Sequence, residues 1–203
     1  MAISFLAAFA LWTVALGCID VQKIGPQETS VGFATINGFV HNQTGVNMTL
    51  YTITDWLGLV PFGFVMGFGI LGLVQWIKRK HFLKVDRDIL VLGGFYLVVM
   101  AAYIFFEMFT VNYRPVLING SLETSYPSST TMLVMCVIPT AMMQFRSRMK
   151  DGLIKTCILC LLLGFLLFMV IGRMLSGVHW ITDIIGGALL STGLVLLYRW
   201  LTT

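Results

Sequence analysis

The chain has 203 residues, of which 58% are hydrophobic and 11% are charged, and its mean hydropathy is +0.89. A soluble domain carries charge on about a quarter of its residues, so this composition excludes a soluble globular protein and indicates that lipid is the solvent. The net charge of +4 then reports orientation in a membrane, and we predict a bilayer, and no nucleic acid, as the partner.

Six apolar runs are long enough to cross about 30 Å of hydrocarbon as helices. They fall at residues 2–19, 56–77, 89–109, 129–145, 153–172 and 180–200. The predicted fold is therefore all-α: one polytopic membrane domain over 1–203 with six transmembrane helices. The first run is open to a second interpretation, a cleaved signal peptide, although it lacks a basic start. Cleavage would leave the other five spans unchanged.

Lysine and arginine residues indicate the orientation of these spans. Ten of the thirteen lie in the connections 78–87 and 146–155 and at Arg199. By the positive-inside rule these places are cytoplasmic, which puts both termini in the cytoplasm. The segments left outside are 20–55, 110–128 and 173–179. We expect the protein in a plasma membrane, bacterial in origin, with these segments on its outer face.

The external segment 20–55 is long for a connection. Phe33, Ile36 and Val40 share one helical face, as in a helix that lies in the membrane interface. An interfacial helix that caps the domain and an ordinary loop both fit this segment. It contains His41, the only histidine predicted outside apart from His179.

The stretch "NYRPVLING" (112–120) follows the third span, which carries Glu107 near its end. A residue before proline is pushed out of helical geometry, so the helix ends before Pro115 and Arg114 emerges at the membrane surface. An arginine that reaches lipid headgroups is the simpler interpretation of this position. A ligand-binding arginine is the functional one.

The stretch "YPSSTTML" (126–133) precedes the fourth span. After Pro127, Ser128 or Ser129 suits the N-cap of a helix. A helix N-terminus also binds anions, so a cap and a phosphate cradle are compatible.

The stretch "GRMLSGVHWITDIIGG" (172–187) is the most informative. We predict that His179 lies in the first turn of the last span, with Asp183 four residues on and on the same face. A carboxylate beneath an imidazole fixes its tautomer and raises its basicity, and Arg173 offers a fork of donors to a phosphate. The simpler interpretation is a histidine–aspartate bond that ties a helix end.

All three stretches fall on one predicted face of the membrane, which favours a phosphoryl-transfer site. The sequence resembles the type 2 phosphatidic acid phosphatases, membrane lipid phosphatases with the motifs Lys-x6-Arg-Pro, Pro-Ser-Gly-His and Ser-Arg-x5-His-x3-Asp. The third motif matches at Arg173, His179 and Asp183, with Gly172 for serine.

The first two motifs match in part. The first keeps Arg114 and Pro115 but has Glu107 in place of lysine. The second keeps Pro127 and Ser128, with Ser129 for glycine and Thr130 for histidine. The resemblance covers the motif order, the six spans and the outer placement of the site.

The resemblance implies a role for each matching residue. His179 would attack phosphorus and form a phosphohistidine, Asp183 would orient it, and Arg114 and Arg173 would hold the phosphate oxygens. The implied substrate-binding residues are Glu107, Tyr126, Ser128, Ser129 and Thr130, with backbone donors from the two serines. No metal and no cofactor are implied. The implied substrate is a membrane lipid phosphate or diphosphate.

Two departures refine these expectations. A carboxylate at position 107 repels phosphate, so we expect Glu107 to pair with Arg114 or Arg173 or to face a cationic headgroup. Thr130 cannot act as the general acid that histidine supplies, which favours a diphosphate such as a polyprenyl diphosphate, whose leaving group needs no proton.

Three functions remain open from the sequence. The first is an active lipid phosphatase, favoured because mere binding needs no histidine backed by Asp183. The second is a catalytically impaired relative that binds a phospholipid or helps to translocate it, favoured by Thr130. The third is a transporter with Glu107 and Asp183 as ion sites, disfavoured because these charges lie at span ends. The particular lipid and the oligomeric state are left open.

Overall fold

The computed structural model describes every residue from Met1 to Thr203. The chain forms eight α-helices and two short 3₁₀ turns, and strand-like pairing is limited to three isolated bridges. The helices are α1 (Ala2–Leu16), α2 (Ala34–Thr44), α3 (Met48–Leu57), α4 (Val60–Arg79), α5 (Arg87–Met108), α6 (Ser129–Arg148), α7 (Leu153–Leu175) and α8 (Ile181–Thr202). The predicted all-α class is confirmed.

Six of these helices overlap the six apolar runs of the sequence. Four segments are long and apolar enough to cross a membrane: Met48–Arg79, which joins α3 to α4, and α5, α7 and α8. The apolar helix α1 has 15 residues and is shorter than a usual span. The protein is therefore an integral-membrane protein with at least these four candidate spans.

The outer faces of the long helices are apolar. Met66 on α4, Leu97 on α5 and Leu161 on α7 are 65%, 74% and 72% exposed. Water would penalise so much continuous apolar surface, whereas lipid covers it at no cost. The exposed side chains thus agree with the composition.

The centre of the bundle is formed by α8, which packs against α1 and α6. More than half of α8's candidate span is buried. The less apolar α6 lies inside the bundle, where its polar side chains find partners: Thr140 donates to the Cys136 carbonyl at 2.9 Å, and Gln144 donates to the Tyr198 hydroxyl at 2.8 Å. Because these groups are satisfied internally, α6 can be less apolar than a lipid-facing span.

The basic connections meet at one end of the bundle. Arg148 forms ion pairs with Asp86 at 3.1 Å and with Asp88 at 2.7 Å, and Arg79 lies 2.7 Å from Asp86. These contacts join the start of α5 to the end of α6. The segments predicted to be external meet at the opposite end, where Asn47 N–H donates to the Ser176 carbonyl at 2.9 Å.

The segment 20–55 contains two helices, α2 and α3, where one helix or a loop was expected. Helix α2 is fastened to α8 because the buried Asn37 side chain donates to Thr182 Oγ1 at 3.0 Å. Helix α3 is capped by Asn47, whose side chain accepts from Leu50 N–H at 2.9 Å, and it packs against α7. Together α2 and α3 lie against the ends of α7 and α8.

Candidate active site

His179 lies in the turn 176–180 between α7 and α8, and it is 4% exposed. The prediction placed it in the first turn of the last helix, but that helix begins only at Ile181. Gly177 causes the difference. It has a φ of +67°, and a β-carbon there would stand 1.8 Å from the Gly45 carbonyl oxygen, so the chain turns tightly against the α2–α3 connection before α8 starts.

Ser125 bridges His179 and Asp183. Its hydroxyl lies 3.0 Å from His179 Nδ1 and 2.5 Å from Asp183 Oδ2. The direct distance from His179 Nδ1 to Asp183 Oδ2 is 3.9 Å, which is too long for a hydrogen bond. The carboxylate was predicted to support the imidazole directly, and in the structure it does so through a serine.

The hydrogen-bond network fixes the tautomer of His179. An ionised carboxylate only accepts, so the single hydroxyl proton of Ser125 goes to Asp183. The Ser125 oxygen then accepts from His179 Nδ1–H. The other ring nitrogen, Nε2, is left with its lone pair, which faces Arg114 Nη1 at 3.2 Å.

Asp183 is fully buried, and its carboxylate is held from several sides. It accepts from Trp180 N–H at 2.9 Å and from the Asn112 side chain at 3.3 Å, in addition to Ser125. Because a buried charge is tolerated only when its hydrogen-bonding capacity is met, this set of donors keeps the carboxylate fixed under the turn.

The surroundings of His179 favour the neutral imidazole. Burial lowers the pKa of His179 well below its usual value, and the positive charges of Arg114 and Arg173 lower this pKa further. A neutral imidazole with a free Nε2 lone pair is the nucleophilic form.

Arg114 lies in the connection between α5 and α6 and is 9% exposed. Its Nε lies 3.1 Å from Glu123 Oε2, and its backbone N–H donates to the Glu123 carbonyl at 3.1 Å. The bridge between Tyr113 and Thr124 holds the two sides of this connection together. Glu123 thereby leaves the Nη end of Arg114 directed at His179.

Arg173 lies in the last turn of α7 and is 1% exposed. Its Nη2 lies 3.2 Å from Asp55 Oδ1, and its Nη1 donates to Thr54 Oγ1 at 3.4 Å. Gly172 permits this contact with α3, because a β-carbon there would stand 2.8 Å from Thr54 Cγ2. The serine of the family motif is therefore replaced by glycine where α3 approaches α7.

The start of α6 contributes differently from each of its first residues. Ser128 N–H donates to the Asp183 carbonyl at 3.1 Å, so it is not the free donor that was predicted. The backbone N–H groups of Ser129, Thr130 and Thr131 have no acceptor within the protein. The Thr130 methyl group faces the α3–α4 joint, 3.5 Å from where a β-carbon on Gly58 would stand.

Glu107 and Tyr126 differ from their expected environments. Glu107 pairs with neither arginine and instead accepts from Thr124 Oγ1 at 3.0 Å. Tyr126 is 1% exposed and its hydroxyl lies 2.7 Å from Thr13 Oγ1, so its contacts are those of a packing residue. Both nevertheless line one narrow cleft together with His179 and Ser129.

The structure thus collects Arg114, His179 and Asp183 around one point, with Arg173 beside them at the end of α7, in contact with α3. No local sequence pattern indicates four further residues at this site: Asp55, Asn112, Glu123 and Ser125. Each of them contacts a motif residue that lies far away in the sequence or at a spacing that matches no helical period.

The structure is an integral-membrane helical bundle with a buried histidine beside arginines at one end. These features define a class of membrane protein that can bind an anion next to a nucleophile. The chain belongs to the PAP2 superfamily, whose family model matches residues 92–203. The matched part runs from α5 to α8 and contains all three motif stretches.

The fold is similar to a solved structure. A crystal structure of a transmembrane PAP2-type phosphatidylglycerolphosphate phosphatase from Bacillus subtilis superposes with a TM-score of 0.61 at 18% sequence identity. The alignment covers 98% of this chain and 94% of that one. Comparison with curated proteins gives no significant match.

Proposed function

We propose that the protein removes a phosphoryl group from a membrane lipid phosphate or diphosphate through a phosphohistidine at His179. One observation carries this proposal. The Nε2 lone pair of His179 faces Arg114 Nη1 at 3.2 Å, while its Nδ1–H is held by Ser125 and, through it, by Asp183. A histidine that only tied a helix end would need no arginine at its second nitrogen.

The first step is attack on phosphorus. Arg114 turns its Nη1 from the imidazole to a phosphate oxygen as the substrate enters, and this frees Nε2. As Nε2 bonds to phosphorus, the bond from phosphorus to the leaving oxygen of the lipid breaks, and the ring gains positive charge, which the Ser125 and Asp183 pair stabilises. Water then attacks phosphorus and the electron pair of the P–N bond returns to Nε2.

Phosphate oxygens have three sources of positive potential near His179. Arg114 lies closest, and Arg173 adds a second guanidinium. The free N–H groups of Ser129, Thr130 and Thr131 form the N-terminus of a 20-residue helix, where anions bind favourably. Such preorganised donors stabilise the charge of a transferring phosphoryl group.

We further propose that the site faces the outside of a bacterial plasma membrane, as the basic connections at the other end imply, and that six helices cross the bilayer. The preferred substrate in this proposal is a polyprenyl diphosphate, because Thr130 stands where the family has its proton-donating histidine. Glu107 then faces a cationic group of the substrate or of a neighbouring lipid.

A second candidate is a family member that binds or translocates a phospholipid without cleaving it. The engagement of Arg173 by Asp55 and Thr54 favours this candidate, since it leaves fewer donors for a phosphate. The deciding experiment is phosphate release by the purified protein from a panel of lipid monophosphates and diphosphates, compared with His179→Ala. Release that needs His179 supports the enzyme; tight binding without release supports the second candidate.

A further inference from the structure

The proposed reaction lacks an evident proton donor for the leaving group. Thr130 replaces the histidine of the family, and its methyl group faces Gly58. The hydroxyl of Thr131 is engaged by Ser128 at 3.0 Å. His41 stacks obliquely on Trp180 with ring centroids 5.5 Å apart, and burial lowers the pKa of His41, so it is unprotonated at neutral pH.

Tyr51 on α3, unlike these three residues, lies beside both arginines of the proposed site. The Cζ atom of Arg173 lies 4.9 Å from the centre of the Tyr51 ring, and the Cζ atom of Arg114 lies 5.8 Å from it. Both phosphate-binding guanidiniums of the proposed mechanism therefore lie against one aromatic ring. The Tyr51 hydroxyl has no hydrogen-bond partner within the protein, while its backbone carbonyl accepts from Arg173 at 3.5 Å.

We propose that Tyr51 is the proton donor to the leaving group, a role that rests on the proposed phosphatase function. A phosphate held by Arg114 and Arg173 must lie beside the tyrosine ring that both arginines contact. Burial disfavours a phenolate at this position, and the two positive charges offset part of that cost as the leaving oxygen becomes negative.

The proton balance closes over the two half-reactions. In the first, His179 Nε2 bonds to phosphorus, the bond from phosphorus to the leaving oxygen breaks, and the Tyr51 proton passes to that oxygen. In the second, water attacks phosphorus, the P–N bond breaks towards Nε2, and the water proton returns to the Tyr51 phenolate. No co-reactant besides water is needed.

Tyr51 is a weaker donor than the histidine it replaces. A tyrosine hydroxyl ordinarily has a pKa of about 10, against about 6.5 for histidine, and general acids work best with a pKa near the working pH. The expected preference for a diphosphate therefore survives, and Tyr51 supplies part of what a monophosphate needs.

The test is whether the loss of kcat/KM in Tyr51→Phe depends on the leaving group. We expect kcat/KM to fall about 10²-fold for an alkyl monophosphate, the low end for loss of a general acid, and to change little for p-nitrophenyl phosphate, whose leaving group departs without a proton. Phenylalanine keeps the ring against both arginines, so the packing should be retained. If packing were lost instead, the rates on both substrates would fall equally. Adding Thr130→His should restore alkyl cleavage.

Tyr96→Phe is the matched control, because that hydroxyl bonds to Thr140 Oγ1 at 3.2 Å, inside the bundle. It should leave the ratio of alkyl to aryl cleavage unchanged. Equal losses on both substrates in Tyr51→Phe, with release still dependent on His179, would overturn the role of Tyr51 alone. Absence of any release that depends on His179 would overturn the phosphatase function and this role together.

Discussion

The hydroxyl of Ser125 lies 2.5 Å from the carboxylate of Asp183. The same hydroxyl accepts from His179 Nδ1–H, so the serine links the carboxylate to the imidazole by two hydrogen bonds. The direct distance from His179 Nδ1 to Asp183 Oδ2, 3.9 Å, is too long for a hydrogen bond. Support for the imidazolium in this protein depends on a residue outside the three motifs.

Ser125→Ala should lower kcat with a smaller effect on KM. A hydrogen bond to a charged group contributes about 1.5–3 kcal/mol, which corresponds to a loss of about 10- to 10²-fold in rate. Ser125→Thr retains the hydroxyl and should retain most of the activity. Steady-state kinetics on one lipid phosphate decide the point: a Ser125→Ala enzyme with wild-type kcat would mean that Asp183 acts on His179 without the serine.

The pH dependence of kcat/KM should reflect the lowered pKa of His179. In the proposed mechanism, activity needs the neutral imidazole and is lost as pH falls through its pKa in the folded protein. We therefore expect the acid limb below pH 6.5, the ordinary histidine value of about 6.5. The contribution of this group to the free energy of unfolding follows the same sign: it is complete above about 6.5 and declines as pH falls.

Arg114→Gln is the informative variant for this profile. Removing the guanidinium lowers the rate, and it should also move the acid limb to higher pH because one of the charges that disfavour the imidazolium is gone. Arg114→Lys keeps the charge and should keep the limb near its wild-type position. An acid limb that stays in place in Arg114→Gln would show that burial alone sets the pKa of His179.

Glu107→Gln should improve affinity for phosphate lipids that carry no cationic group. Glu107 holds neither arginine, so neutralising it removes repulsion without freeing Arg114. At an exposed position the gain is about 0.2–1 kcal/mol, or about a 1.4- to fivefold fall in KM. Thr124→Val serves as the control for loss of the local hydrogen bond. A rise in KM for every such substrate would mean that the carboxylate has a positive role.

The proposed outward orientation of the site can be tested by labelling. Single cysteines at Ser121, in the connection between α5 and α6, and at Lys80, after α4, lie in exposed positions at opposite ends of the bundle. In a background without the four native cysteines, an impermeant thiol reagent added to intact cells should label position 121 and leave position 80 unlabelled. The reverse pattern would place the site in the cytoplasm, and labelling of both would contradict the spanning arrangement between them.

The helices were predictable from sequence because hydropathy in a lipid solvent is a local property. The six apolar runs overlap six helices, and the motif spacing places Arg173, His179 and Asp183 in one stretch. What local patterns could not supply were contacts over long sequence distances. Asp55 reaches Arg173 across 118 residues and Ser125 reaches His179 across 54, and the late start of α8 depends on the packing of Gly177 against another segment.

The expected partner of Glu107 shows the same limit of sequence patterns. Charge alone suggested a pair with an arginine, but each arginine already has a nearer carboxylate, Glu123 for Arg114 and Asp55 for Arg173. Glu123 lies in the connection between α5 and α6 and Asp55 lies on α3, and the position of both depends on the fold. Which carboxylate pairs with each arginine therefore depends on the three-dimensional fold, and local sequence patterns do not predict it.

Thr130→His should change the substrate preference of the enzyme. Cleaving a lipid monophosphate expels an alkoxide whose conjugate acid has a pKa of about 16, like water. Cleaving a diphosphate expels a phosphomonoester whose second pKa is about 6, by analogy with phosphorylated side chains, and which leaves unprotonated. A general acid is worth about 10²–10⁴-fold where a proton is needed, or about 3–5 kcal/mol of barrier.

A histidine at position 130 would stand on the first turn of α6 beside the free N–H groups of the proposed phosphate site. It should therefore raise monophosphate cleavage strongly and diphosphate cleavage little. The comparison needs one lipid chain carrying either one or two phosphates, assayed with wild type and Thr130→His, and Thr130→Val controls for loss of the hydroxyl. A wild-type enzyme that already cleaves the monophosphate as fast as the diphosphate would mean that a proton donor such as Tyr51 fully replaces the histidine, and the preference for a diphosphate would then be wrong.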